Sequence, residues 1–305
     1  MSVTDLRHGS WLEASARERV AGLLDDGRFT EFLGPERREM SPHLPLFDLP
    51  RAFDDGVVVG RGRLGGRDVF AAAQEGRFMG GTFGEVSGAK IVGLLRASAL
   101  DRAPRAVLLL LDTGGVRLQE ANAGEMAVSE IIRAIAEARH AGVAVIALVG
   151  GRSGAFGGGG IIAACCSRIV MSQAGRTGVS GPEVIETNRG VEEFDSRDRA
   201  LVWRIGGGRT RSLTGGADRY VRDEIAAFRE AAADLIAEAP RPLDLAAMQA
   251  EEARLRARLD RDGDCRDATE IWARRGFDDP AHVSDLTEEQ FMALHAKEGG
   301  TDDAR

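Results

Sequence analysis

Val107-Leu-Leu-Leu-Leu111 runs directly into Asp112-Thr-Gly-Gly-Val-Arg-Leu-Gln-Glu120. Five consecutive apolar residues without polar alternation are the pattern of a strand covered on both faces, as in a parallel sheet. The glycines that follow let the backbone bend and approach a ligand closely. The arrangement recurs downstream. Val143–Val149 is a second apolar strand, followed by Gly151-Arg-Ser-Gly-Ala155 and Phe156-Gly-Gly-Gly-Gly160, then by an apolar helix near Ile161–Cys166. A helix that begins at such a turn leaves its first N–H groups unpaired, with the helix dipole behind them. That combination suits a negative oxygen. Two such turns after two consecutive buried strands point to a shared site.

The rest of the chain fits a layered α/β fold. Residues 10–33 are expected to be one amphipathic helix with Ser10 as N-cap. Residues 34–50, with four of the nine prolines, read as an extended arm or a surface loop. Val57–Arg63 and Asp68–Ala73 read as strands joined by a Gly65-Gly66 hairpin turn. Residues 77–90 form a glycine-rich turn into a helix ending near Leu100. Asn122 is placed to cap a helix to about His140, with Glu125 as its capping-box partner. Ile169–Met171 and Gly178–Ser180 read as short strands, and Pro182 suits the first position of a helix. Helices are expected at 217–238, 244–261, 266–275 and 286–296. The domain reading is a layered domain over 1–238, a helical extension over 239–297 and a disordered tail over 298–305.

A formal net charge of −8 over 305 residues disfavours a broad nucleic-acid-binding face. The three cysteines, Cys165, Cys166 and Cys265, are too few for a disulfide framework and contain no Cys-x2-Cys pair for a zinc ribbon. No signal peptide and no membrane-spanning run is read in the chain. The expected location is the cytoplasm, with no metal, no membrane and no nucleic acid involved.

Two further patterns compete for the chemistry. Gly60-Arg-Gly-Arg-Leu-Gly65 is formally a dinucleotide fingerprint, but that mechanism needs a helix to start inside the motif. Here a strand follows, so a glycine-rich hairpin is the expected structure. Ser153 lies between a strand and a helix, as a nucleophile elbow would. A serine hydrolase would then need a downstream histidine, and only His282 and His295 are there.

Gly80-Gly-Thr-Phe-Gly-Glu-Val-Ser-Gly-Ala-Lys90, Asp112-Thr-Gly-Gly-Val-Arg-Leu-Gln-Glu120 and Ser180-Gly-Pro-Glu-Val-Ile-Glu186 occur in that order. The set resembles the N-terminal, acyl-thioester-binding half of biotin-dependent acyl-CoA carboxyltransferases. Within that group it is most similar to the β subunit of biotin-independent malonate decarboxylase, over roughly residues 8–235. The resemblance implies a crotonase-like spiral of β-β-α units. It also implies a homologous γ subunit as partner, and a malonyl thioester carried on the coenzyme A-like arm of an acyl-carrier protein. Neither biotin nor metal would be bound by this chain. By position, Phe156, Gly157 and Gly158 would offer backbone N–H groups to an oxyanion, and Gly114 and Gly115 would shape the neighbouring wall. Gly80, Gly81, Arg117 and Lys90 would lie near the carrier arm, with Lys90 as a phosphate ligand. The nearby acids Glu120, Glu183 and Glu186 are candidates for delivering a proton. A hydratase is disfavoured because the helix after Gly160 begins Ile-Ile-Ala-Ala-Cys-Cys, with no acid. The alternatives are a carboxyltransferase β subunit that uses carboxybiotin, the Ser153 hydrolase, and a non-catalytic scaffold.

Overall fold

The computed structural model describes residues 3–47 and 56–298. Its strands are β1 (Phe29–Glu31), β2 (Val57–Leu64), β3 (Arg67–Gln74), β4 (Ala106–Leu111), β5 (Ala144–Val149), β6 (Ala155–Phe156), β7 (Arg168–Ser172), β8 (Thr177–Gly178) and β9 (Arg219–Val221). Seven of them form one sheet in the order β1-β2-β3-β4-β5-β7-β9. The first two pairings are antiparallel, and all pairings from β3 to β9 are parallel. β6 and β8 form a small second sheet.

The helices are α1 (Val3–Arg7), α2 (Ala16–Leu23), α3 (Glu85–Ser98), α4 (Ala123–His140), α5 (Gly158–Cys165), α6 (Pro182–Arg189), α7 (Arg199–Gly206), α8 (Gly208–Leu213), α9 (Ile225–Ala237), α10 (Leu245–Asp262), α11 (Ala268–Arg274) and α12 (Glu288–Glu298). The all-apolar strands work as the sequence implies, because alternate residues feed opposite faces. Val107, Leu109, Leu111, Val145, Ala147 and Val149 pack with Ile91, Ile131, Ile135 and Ile162 of α3, α4 and α5. Leu108, Leu110, Ile146 and Leu148 pack with Val20, Leu23, Phe228 and Leu235 of α2 and α9. Burying both faces of a parallel sheet this way makes it a rigid support for the turns at its strand ends.

The β2–β3 hairpin closes through Gly65-Gly66, both at positive φ, with Leu64 opposite Arg67. The glycines at 60 and 62 have a structural reason. A Cβ at Gly60 would lie 2.2 Å from the Thr30 carbonyl oxygen, and one at Gly62 2.8 Å from that of Arg28. The Gly60–Gly65 pattern is therefore a strand against a crossing edge strand, not a phosphate cradle.

Several expectations need correction. The helix expected over 10–33 is only α2, capped by Ser15 instead of Ser10, and the chain continues into β1. Ser10 instead donates to Asp223. Asn122 precedes α4 but makes no side-chain cap bond, so no capping box with Glu125 forms. The helix expected from 217 begins at Ile225, because Arg219–Val221 is drawn into the sheet beside β7. In the proline-rich segment, residues 35–37 and 44–47 form 3-10 turns and Leu44 is buried, while residues 48–50 lie outside the described residues. The expected tail lies outside them from residue 299. The helical extension consists of α10, α11 and α12. Trp272 and Phe291 pack there against Leu213 of α8 and Tyr220 of β9.

Candidate active site at the glycine turns

The turns after β4, β5 and β7 are stitched side by side. Thr113 bridges to Ala155, Ala155 and Phe156 pair with Thr177 and Gly178, and Val116 bridges to Phe83. Gly157 adopts φ +56° and ψ −126°, a conformation that side chains strain to reach. A Cβ built on it would lie 3.5 Å from the Gly115 Cα, so the two turns singled out in the sequence touch each other.

Tracing the N–H groups of these turns separates wall from donor. The Gly114 N–H donates to the Gly80 carbonyl at 3.0 Å, and the Gly115 N–H to Thr113 Oγ1 at 3.0 Å. Neither N–H is free for a ligand. The Phe156 N–H donates to the Thr113 carbonyl at 3.1 Å, which removes Phe156 from the expected donor set. Intrahelical pairing resumes at Gly160, whose N–H meets the Gly157 carbonyl. The Phe156–Gly178 pairing turns the Gly157 N–H toward the Gly178 carbonyl, whereas among the described residues no acceptor is found for the N–H groups of Gly158 and Gly159. The open N–H groups are thus those of Gly158 and Gly159, at the first turn of α5. An unbroken four-glycine run does not mark where the helix starts, so the sequence alone leaves this register open.

The residues expected near a carrier arm separate in the same way. Gly80 and Gly81 belong to the site's wall: Gly80 receives the Gly114 N–H, and a Cβ on Gly81 would lie 1.8 Å from the Asp112 carbonyl oxygen. Lys90 is buried and donates to the Val57 carbonyl, so the phosphate role expected for it is corrected. Arg117 is also corrected. It is fully buried, pairs with the equally buried Glu120 at 2.9 Å and donates to the Thr82 carbonyl at 3.1 Å. Glu120 in turn accepts the Glu85 N–H at the start of α3. The pair clamps the 80–85 turn onto the 113–120 turn, so Glu120 is not placed to deliver a proton. Glu186 accepts hydrogen bonds from Ser196, which hold its carboxyl below the usual range. Glu183 is exposed on the first turn of α6.

Asp112 anchors the site from behind. It pairs with buried Arg19 at 2.9 Å and accepts the Ser153 N–H at 2.7 Å, fixing the 151–154 loop. His282 is bonded to Asp279, and the His295 ring lies against Tyr220 and Phe291, so both downstream histidines serve the helical extension and neither contacts Ser153. Among the described residues, no cluster of His, Cys, Asp and Glu is disposed to hold a metal ion. Leu118, Met126, Ile161, Val179 and Val184 stand exposed on the segments that carry or flank the turns.

A parallel sheet whose strand-end glycine turns present a helix N-terminus defines the crotonase-like class. Comparison with known proteins narrows this. The carboxyl transferase domain matches residues 13–260, and the chain belongs to that family. It is 39% identical to the malonyl-S-ACP:biotin-protein carboxyltransferase MADC of Malonomonas rubra, across 95% of this chain and 96% of that one. A chain of a Pseudomonas malonate decarboxylase hetero-tetramer, crystallised with malonate, superposes with a TM-score of 0.79 at 40% identity, covering 90% of this chain and 99% of that one. The propionyl-CoA carboxylase beta chain of Saccharopolyspora erythraea is 31% identical over 68% of this chain, which spans 36% of that longer protein. The protein is a malonate decarboxylase-related subunit.

Proposed function

We propose that this chain is the subunit of a malonate decarboxylase that binds a malonyl thioester on an acyl-carrier protein and releases CO₂ to leave the acetyl thioester. The observation that carries this reading is the pair of unpartnered N–H groups at Gly158 and Gly159, at the head of an apolar helix. As the bond between C2 and the carboxylate breaks, its electron pair moves into the C1–C2 bond and charge moves onto the thioester oxygen. Backbone donors aimed at that oxygen lower the barrier, each worth about 10²–10³ in rate in comparable sites. The enolate then takes a proton at C2. With Glu120 paired and Glu186 held ionised, Glu183 is the acid to examine first. No side-chain nucleophile and no bound cofactor enters the reading.

The exposed apolar residues around the turns suit a partner that covers them, and we assign that place to a homologous γ subunit. The hetero-dimeric and hetero-tetrameric neighbours support such a partner. A second reading has its own support, since the Malonomonas rubra relative is named for carboxyl transfer to a biotin protein. Both readings share the enolate step and differ in where the carboxyl group goes. CO₂ release from malonyl-carrier or malonyl-CoA by the purified complex, with and without avidin, separates them. Release unaffected by avidin is the expected result, and inhibition by avidin would move the chain to the biotin-dependent reaction.

A further inference from the structure

Arg176 lies between β7 and β8 and serves no part of the mechanism above. Its backbone is locked beside the site, because its carbonyl accepts the Ala155 N–H at 2.8 Å. Its guanidinium lies 4.4 Å from the centre of the Trp203 ring and 5.8 Å from that of Phe156. Trp203 is itself fixed by a bond from its Nε1 to the Gln173 carbonyl at 3.0 Å. One terminal nitrogen of Arg176 donates to the Arg152 carbonyl, while Nε is buried and has no partner.

Among the described residues, no carboxylate pairs with this cation. Arg152 is neutralised by Glu13, and Asp112 by Arg19. Arg199 lies on Trp203 at 5.1 Å and adds a second positive charge. Burial holds Arg176 below the ordinary arginine value, and Asp112 and Glu183 oppose that shift only from a distance. A partly desolvated charge without a counter-ion is unfavourable unless something supplies one. Ring contacts hold the guanidinium plane without occupying its in-plane donors, which are the ones that grip carboxylate and phosphate oxygens in pairs.

We propose that Arg176 anchors an anionic oxygen group of the acyl-thioester ligand beside Phe156, two residues from the free N–H groups. That group is the free carboxylate of the acyl unit or a phosphate of its carrier arm. The proposal rests on the thioester reading above. The test uses the chain as it purifies, with any subunit that accompanies it, as wild type, Arg176→Gln and Arg176→Lys. Three probes are compared: the KM of malonyl-CoA, the KM of malonyl-pantetheine, which lacks the phosphates, and the calorimetric Kd of acetyl-CoA, which lacks the carboxylate. Loss of a charge-assisted contact weakens binding by about 10- to 100-fold. If Arg176 holds the carboxylate, Arg176→Gln weakens both malonyl probes and spares acetyl-CoA. If it holds a phosphate, the variant weakens both coenzyme A probes and spares malonyl-pantetheine. Arg176→Lys recovers part of either loss. Unchanged constants, or an equal loss on all three with a lowered Tm, overturn the proposal and leave Arg176 as a brace for Trp203. A wild type that acts on and binds none of the probes overturns the thioester reading itself, and this proposal with it.

Discussion

Gly114 and Gly158 lie on neighbouring turns, yet the structure gives them opposite uses in mutagenesis. A Cβ on Gly158 would come within 2.5 Å of Val128 Cγ2, so Gly158→Val collides with α4. Overpacking of this kind destabilises by about 1–3 kcal/mol, which would obscure any effect on the oxyanion. Gly114 is exposed, and a Cβ there meets only the Gly80 carbonyl oxygen, at 3.8 Å. Gly114→Val is therefore expected to keep the wild-type Tm and to lower kcat/KM for malonyl-CoA by about 10- to 1000-fold, as bulk enters the wall of the site. Paired thermal melts and steady-state assays check this. A variant that melts normally and turns over normally would remove the Gly114–Gly115 turn from the site. At this scale the sequence shows which turns matter but not which N–H groups they leave free. That depends on the bridge between Thr113 and Ala155, a pairing across 42 positions that no local pattern reports.

Elements were legible where one face or both faces of a long segment are apolar, and obscure where the segment is two or three residues long. β4 and β5 stand out because every residue from Val107 to Leu111 and from Val145 to Val149 is buried. β6 and β8 have two residues each, and tertiary position defines them more than composition does. The merged helix over 10–33 has a plainer cause. Val20, Leu23 and Leu24 continue a helical spacing, but the backbone is already extended at Leu24, and Asp26 and Gly27 then take positive φ in a separate turn. The start was also misplaced by one serine. Ser15 accepts the Glu18 N–H at 3.3 Å, and Glu18 accepts the Ser15 N–H at 2.8 Å. This reciprocal cap also holds the Glu18 carboxyl below its usual range. Ser15→Ala removes one half of it and is expected to destabilise the protein by about 1 kcal/mol. Denaturant melts check this, and an unchanged midpoint would remove Ser15 as the cap of α2.

At the scale of the whole molecule, the helical extension is joined to the sheet domain by a second, smaller core, and that core contains a titratable group. The His295 ring lies 6.0 Å from those of both Tyr220 and Phe291, tilted against each. Around it, Arg209 lies over Phe291 and pairs with Glu288, which accepts the Tyr220 hydroxyl at 3.0 Å. Burial holds the His295 imidazole below its ordinary value, because the charged form loses water without gaining a partner. The unfolded chain then binds the proton more tightly than the folded one. Stability due to His295 is complete above about pH 6.5 and declines as pH falls from there through the folded value. His295→Gln cannot titrate, so its Tm should fall less than that of wild type between pH 7.5 and pH 5. The comparison of the two proteins matters more than either curve, since carboxylates elsewhere titrate equally in both. If the two curves run parallel, His295 keeps its ordinary pKa and the joint between extension and sheet domain is insensitive to pH. If wild type falls faster, protonation of His295 weakens the packing of α12 on Leu213 and Tyr220.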